Sequence, residues 1–489
     1  MDIDSRNGAC CGSTKTNKPK MKIDIQTGSL KEHLISLFYR NRDLIRGNST
    51  QKVAELQELG LAEFEKLGFP NQKMENWRFT DISPLLEVDF TFDFTNRSRP
   101  FNIDDLFTCH VYDLDTYTLT LLNGWFVYSE APLKKLQNGT IIGSLAKAME
   151  EYPQLISLHI GAAADVSKMP LAALNSAFIQ DGLFVYVPDG VEVEKPIQLV
   201  SVVDSHQPIM LQPRHLLIAG KNSKVTLVHC DHTLTNNVSF SNTVMEIFGA
   251  ENAQIDHYKV QNKGSQSALF TTTCVNLYRN AKFASKLITL NGNLTRNCLN
   301  VKLLEEHADA DLNGLYLVDK TQHVDNQISI EHAAPNCTSN QLFKGILDDK
   351  SKAVFSGLIH VRKQAQQTRA YQNNKNLLLT DEAKANIQPR LEIYADDVKC
   401  SHGATVGQLD TEAMFYLRSR GIGIEEARKL MMLAFADEVV QKISIPPLRN
   451  KISKLVEKRL SGQLSICDQC LLHCADQGTA TFKIDQSKL

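Results

Sequence analysis

The sequence contains no run of about 18 apolar residues, so no membrane-spanning helix is expected. It has no excess of charge. Its 53 Lys and Arg stand against 55 Asp and Glu, a formal net charge of −2, which leaves no basic footprint for nucleic acid. It lacks Gly-x-x-x-x-Gly-Lys-[Ser/Thr], and it lacks Gly-x-Gly-x-x-Gly after a strand; "GIGIEEARKL" has neither the spacing nor the correctly placed lysine. The chain is therefore not expected to bind or hydrolyse a nucleotide alone. Gly-x-Ser-x-Gly and His-Glu-x-x-His are also missing. Two-residue hairpin turns are scarce, Asn291-Gly292 being one of few. The first twenty residues, "MDIDSRNGACCGSTKTNKPK", have no apolar core and carry Asp2 and Asp4, unlike a secretory signal or a transit peptide. They read as a flexible tail over residues 1–25, with Met21 as an alternative start.

What is present is globular. A chain of 489 residues with 43% apolar and 22% charged residues is expected to form two or three domains. The eleven cysteines are odd in number and the chain reads as unsecreted, so a disulfide framework is not expected and a reducing, cytoplasmic setting fits. Residues 26–150 read as a helical and mixed region. Leu30, Leu34, Leu37 and Phe38 form one helical stripe, and Val53, Leu56, Leu59 and Phe64 another, with Ser49 or Thr50 as a cap. The stretch "FPNQKMENWRFTDIS" breaks that period. It holds Trp77, one of two tryptophans, read here as a loop anchor rather than a ligand platform.

Over 151–408 the helical period gives way to short β-branched runs with alternation of two, such as "KVTLVHCDHT", "AQIDHYKVQ" and "AVFSGLIHV". Each run follows a polar turn and a small residue: Ser223, Ala253, Ala281, Ala308, Ser351 and Ala383, at intervals of 30, 28, 27, 43 and 32 residues. A strand-turn unit of near-constant length that cannot bury its own face predicts a stacked β-solenoid. The interval of 43 predicts a longer coil or a loop around "EHAAPNCTSN". A sandwich of antiparallel hairpins is the alternative. Helical period returns over 409–461. Asp410 is a good cap, Gly421 a stop, and Pro446 and Pro447 suit a helix start. Met431, Met432, Leu433 and Phe435 crowd one helix there, either as core or as a face for a partner. Residues 462–489 form a cysteine-containing tail.

Side-chain parity in a strand places Val398, Cys400, His402 and Ala404 on one face. Cys400 and His402 can thus reach a common atom. Gly403 and Gly407 would allow a bulge or close backbone approach, and Asp396 or Asp397 could orient the imidazole. The alternative is a buried cysteine beside an exposed histidine. Structural zinc or an iron–sulfur cluster takes four protein ligands as a rule, so two residues on one strand are half a site at most. Cys230 and His232 repeat the spacing and read as structural. Cys467, Cys470 and Cys474, with His473 adjacent, fall on one helical face but make an incomplete zinc pattern.

The stretch "LEIYADDVKCSHGATVGQLDTEAMFYLRSRGIGIEEARKLMMLAF" closely resembles the SufB/SufD family of the SUF iron–sulfur cluster assembly machinery, on its SufD side. "KMENWRFTDIS" resembles the family's N-terminal part and "NQLFKGILDDKSKAVFSGLIHV" its late core. The resemblance spans roughly residues 30–460 and implies a mainly β fold, a right-handed parallel β-helix flanked by N- and C-terminal helical regions. It implies a non-enzymatic scaffold that pairs with a SufB-like subunit and binds a SufC-like ATPase. That ATPase is expected on residues 411–460, with Met431, Met432, Phe435, Ile443 and Pro446 as contacts. A transient Fe–S cluster is expected at the subunit interface, shared with the partner through His402 and Cys400, the latter as thiolate. A homodimer is possible in isolation. The tail cysteines depart from the family pattern. Two other classes compete: a solitary carbohydrate-active solenoid, which needs paired carboxylates, and a self-sufficient metal protein using the tail.

Overall fold

The computed structural model describes residues 29–47, 49–95, 99–100 and 114–462. The expected tail over 1–25, and that over 462–489 from residue 463 on, with Cys467, Cys470 and Cys474, lie outside the described residues.

Two 11-stranded sheets face one another, and successive strands of the central region alternate between them. One sheet runs through Ile197–Val203, Lys224–Thr233, Gln254–Asn262, Lys282–Asn291 and Asp309–Val318 to Thr338–Leu347, Thr368–Leu378 and finally Val398–Gly407. The other runs from Leu183–Val187 through Arg214–Ala219, Ser239–Gly249, Ser267–Leu277, Leu294–Leu303, His323–His332 and Lys352–Val361 to Lys384–Ile393. Pairing along both is parallel and nearly in register, so the core is a parallel β-solenoid. Alternation supplies its interior. Val225 and Leu227 face Leu217 and Ile247 across the gap, and later coils add Ile255, Phe283, Leu312, Phe343 and Phe355.

The turns explain the small residue before each run. Asn222, Asn252, Asn280, His307 and Asn336 all have φ between 54° and 62°, a left-handed conformation that asparagine tolerates. Asn280 donates to Asn252 and Asn252 to Asn222 at 2.9 and 2.8 Å, so the turns stack as a polar ladder. The following Ser223, Ala253, Ala281, Ala308 and Cys337 are wholly buried, where a larger side chain would meet the opposite sheet. Ser351 and Ala383 precede strands of the other sheet. The interval of 43 is therefore one coil plus a change of side. "EHAAPNCTSN" holds an ordinary turn between His323–His332 and Thr338–Leu347, not the expected long loop.

Residue 151 does not divide helix from sheet. Tyr117–Leu122, Trp125–Tyr128 and Ile141–Ser144 already belong to the sheets, whereas Leu145–Glu151, Pro153–His159 and Pro170–Ala177 are helices. The N-terminal helices Leu30–Arg40 and Gln51–Leu67, with Pro170–Ala177, cover the outer face of one sheet over Phe240, Val244 and Phe270. Ser29 and Thr50 cap the first two. Gly60 lets Gln51–Leu67 approach Pro170–Ala177 closely: a Cβ there would lie 2.7 Å from Ala173 O and Ala177 N. The C-terminal helices Ile424–Val440 and Pro446–Leu460 cover the other outer face, over Val228, Tyr258, Ile288 and Leu317. Arg459 pins them: fully buried, it donates to Leu290 O and to Asp319, each at 2.8 Å.

The interior is not apolar throughout. His215, His229, Asp231, His257 and Lys259 are buried together, and Lys263 nearby donates to His232 O at 3.2 Å. Lys259 lies 3.5 Å and His229 3.4 Å from Asp231. Burial opposes ionisation of Asp231, yet Lys259, His229 and Lys263 outweigh it and hold its carboxyl well below the usual range. Burial, with Lys259 nearby, pushes His215, His229 and His257 down. His215 Nδ1 accepts the Leu183 N–H at 2.9 Å, which fixes its proton on Nε2.

Candidate functional site

Coverage by helices stops short of the last coil. Among the described residues Val398–Gly407 pairs only with Thr368–Leu378, and Lys384–Ile393 only with Lys352–Val361, so both sheets end there on open edges. Neither terminal strand contains a buried residue, in contrast to the strands of preceding coils. Pro389, Lys384 and Arg390 guard one edge in the usual manner. The other, "VKCSHGATVG", has Lys399 as its one charged guard short of His402, and Val406 is 48% exposed. Such an edge is a template for another strand.

Register sets which way Cys400 and His402 point. Cys400 pairs with Ala370 and His402 with Gln372, both buried members of the inward column. Cys400 and His402 thus share the inward face, as parity predicts, in a coil whose far side is open. Cys400 is half-buried beside Ala370, Ala395 and Leu391. Burial raises its pKa, only partly countered by the Ala370 backbone, so the thiol is protonated in the isolated chain. The expected thiolate therefore requires a cation or proton acceptor from outside. His402 is exposed. Among the described residues no three or more His, Cys, Asp or Glu are placed to hold a metal ion.

Other expected site features fall elsewhere. Asp396 and Asp397 lie in the bend before the strand, and Asp397 N–H donates to the Gln366 side chain. They neither orient the imidazole nor form a carboxylate pair. The strand runs without a bulge, and a Cβ on Gly407 would meet nothing within 4 Å. Cys230 and His232 are buried on the outer face, where Cys230 packs under the C-terminal helices, so their role is structural. Trp77 anchors its loop: it is 7% exposed, lies against Phe270, and has the Arg296 guanidinium 3.7 Å from a ring centre.

The contact residues expected for an ATPase need correction. Met432 is buried beneath its own helix and Ile443 in the turn that follows it, so neither offers exposed surface for contact. Phe435 is half-buried under Lys344, whose Nζ binds Phe435 O and Glu438. Met431 and Pro446 remain at least partly accessible. The solvent-facing apolar residues lie earlier. Helix Thr411–Ser419, capped by Asp410, has no buried residue and presents Phe415 and Tyr416 at 74% and 57% exposure. Sequence periodicity missed them because it finds apolar stripes without telling which stripe is covered.

Comparison with known proteins decides the family. Residues 201–435 match the domain described as "SUF system FeS cluster assembly, SufBD core domain", and residues 28–199 match the "SufBD protein N-terminal region". The chain belongs to the SufBD family. It is similar to an iron–sulfur cluster assembly SufBD family protein of Synechocystis, 31% identical over 90% of this chain and 96% of that one. It is similar to the iron–sulfur cluster assembly protein SufD of Escherichia coli, 28% identical over 86% of this chain and 96% of that one. A chloroplastic protein of Arabidopsis thaliana, ABCI7, is 28% identical over 78% of this chain and 81% of its own. A SufBD member is an iron–sulfur cluster assembly protein. Among the described residues no helix is long and apolar enough to cross a membrane.

Proposed function

We propose that this chain is a SufD-type scaffold subunit, without catalysis of its own, that completes its site with a SufB-like partner. The observation that carries the reading is the last coil: an unpaired edge strand with Cys400 and His402 side by side on a face left open. A partner strand adding to Val398–Gly407 would bring further ligands against this pair, and the nascent Fe–S cluster is the cargo held there. Desolvation by the partner keeps the Cys400 thiol neutral until iron lowers its pKa. The same edge accounts for a homodimer in the partner's absence.

A SufC-like ATPase would dock on the C-terminal helices, with Phe415 and Tyr416 as anchors and Met431 and Pro446 at the margin. Its movement would be transmitted through the Arg459 pin to the solenoid. The reading is cytoplasmic, with no nucleotide bound by this chain alone. The test is His402→Ala in the reconstituted complex. Cluster assembly is expected to fall at least about tenfold, with the complex unchanged in mass. Undiminished assembly by an intact complex would remove His402 from the role. For docking, Phe415→Glu is expected to abolish co-purification of the ATPase; retained ATPase would move the docking site elsewhere.

A further inference from the structure

The outer face of the sheet under the N-terminal helices changes character along its length. Beneath the helices it is apolar, with Phe240 and Phe270. Where they end, the register lines up Thr272, Cys298, Gln327 and Ser356 as a row of small or polar side chains. Over this row lies a cavity of about 200 Å³, walled by Trp77 and by the start of helix Pro170–Ala177.

The charged side chains that line it are of one sign. Lys168, Arg296 and Arg390 line the cavity, and no carboxylate does. Asp325, Glu75 and Asp165, which pair with Arg296, Arg390 and Lys168, are outside the lining. Arg296 is 2% exposed, and its Nε has no hydrogen-bond partner; the Nε of Arg390 is likewise unpartnered. The helix start adds to this. Pro170 supplies no N–H, Met169 gives no side-chain cap, and the N–H groups of Leu171 and Ala172 have no acceptor within their own helix. The walls opposite are flat and apolar: Trp77 and Phe270, ring centres 6.3 Å apart. Burial raises the Cys298 pKa, so its thiol adds no negative charge.

We propose that this cavity binds a small organic anion. A carboxylate or phosphate head would lie toward Arg390, Lys168 and the helix start, and a flat apolar body against Trp77 and Phe270. The cavity is on the outer face of one sheet, whereas Cys400 and His402 are on the inner face of the other, so the two sites stand or fall separately.

The test uses isothermal titration of the full chain with three probes of one shape: 2-naphthyl phosphate, 2-naphthoate and uncharged 2-naphthol. Both anions are expected to bind in a single site, at least about tenfold more tightly than 2-naphthol; the tighter of the two identifies the head group. Lys168 and Arg390 are surface residues whose ion pairs contribute little to stability. The pair K168Q/R390Q should therefore fold normally and abolish the preference for the anions. Ser329→Phe, at a half-buried outward position on the floor, should block all three probes with an unchanged thermal midpoint. The proposal is overturned if neither anion binds, if 2-naphthol binds as tightly, or if Ser329→Phe binds the anions undiminished.

Discussion

Replacing Glu246 should detach the N-terminal layer from the solenoid. Glu246 is fully buried on the outer face of Ser239–Gly249. Its carboxylate accepts the N–H groups of Gly161 and Ala163 at 2.8 Å and of Ala164 at 3.1 Å, and Arg214 Nη2 at 2.6 Å. Arg214, equally buried, also donates to Asn175 and Ser176 on helix Pro170–Ala177. One carboxylate thus joins a loop, a helix and the sheet. Glu246→Ala leaves the guanidinium buried without its counter-charge, a loss of about 3–5 kcal/mol. It also strands three N–H groups, each worth roughly 1–3 kcal/mol when left unsatisfied. Solvent entry will cap the sum, so a loss of at least about 4 kcal/mol is expected. Glu246→Gln keeps one acceptor oxygen, serves two of the N–H groups and should lose about half as much. The double change R214M/E246L removes both charges and should be milder than Glu246→Ala. Urea unfolding followed by tryptophan fluorescence gives the magnitudes. Hydrogen exchange at the amides of Gly161, Ala163 and Ala164 gives the location. A loss below about 1 kcal/mol for Glu246→Ala, or unaltered protection of those amides, would refute the reasoning.

Three further outcomes follow from the same geometry. Gly60→Ala gains helix propensity of about 1 kcal/mol but drives a Cβ into Ala173 and Ala177 backbone atoms, and a net loss of about 1–2 kcal/mol in thermal unfolding is expected. Arg459→Ala leaves Asp319 buried and unpaired, so about 3–5 kcal/mol should be lost, and limited proteolysis should release Pro446–Leu460 first. Acid should destabilise the fold before carboxylates titrate. His215, His229, His257 and His323 all have pKa values lowered by burial, and His332 is pushed down to about 4. Below pH 6.5 the unfolded chain binds protons that the folded chain refuses. Stability is therefore full above about pH 7 and falls with pH by about 1.4 kcal/mol per unit for each such histidine, roughly 3 kcal/mol in all for His332. Denaturation midpoints measured from pH 7.5 to 4.5 check this; a flat profile would mean that these histidines are protonated in the fold.

Local patterns in the sequence determined the class of fold. Alternation of two, a turn of near-constant spacing and a small residue at its close are properties of neighbouring residues, so Ser223, Ala253 and Ala281 announce the coil without knowledge of its neighbours. The same locality explains the parity of Cys400 and His402. The left-handed asparagines before these small residues, and their stacking into a ladder, became visible only in the fold. Tertiary structure alone decided the rest, because each remaining question concerns which surface is covered by which. Two sheets share one spacing, so the interval of 43 residues could not be read as a change of side. Met432 and Phe415 look alike as apolar helical residues, and only packing on the outer face separates core from free surface. Asp396 stands near His402 in the chain yet lies in the bend before its strand, whereas Trp77, Arg296 and Arg390 come from distant segments to line one cavity. What leaves Cys400 and His402 open on one face is that no described element covers the last coil, a property of where the solenoid and its helices end in space.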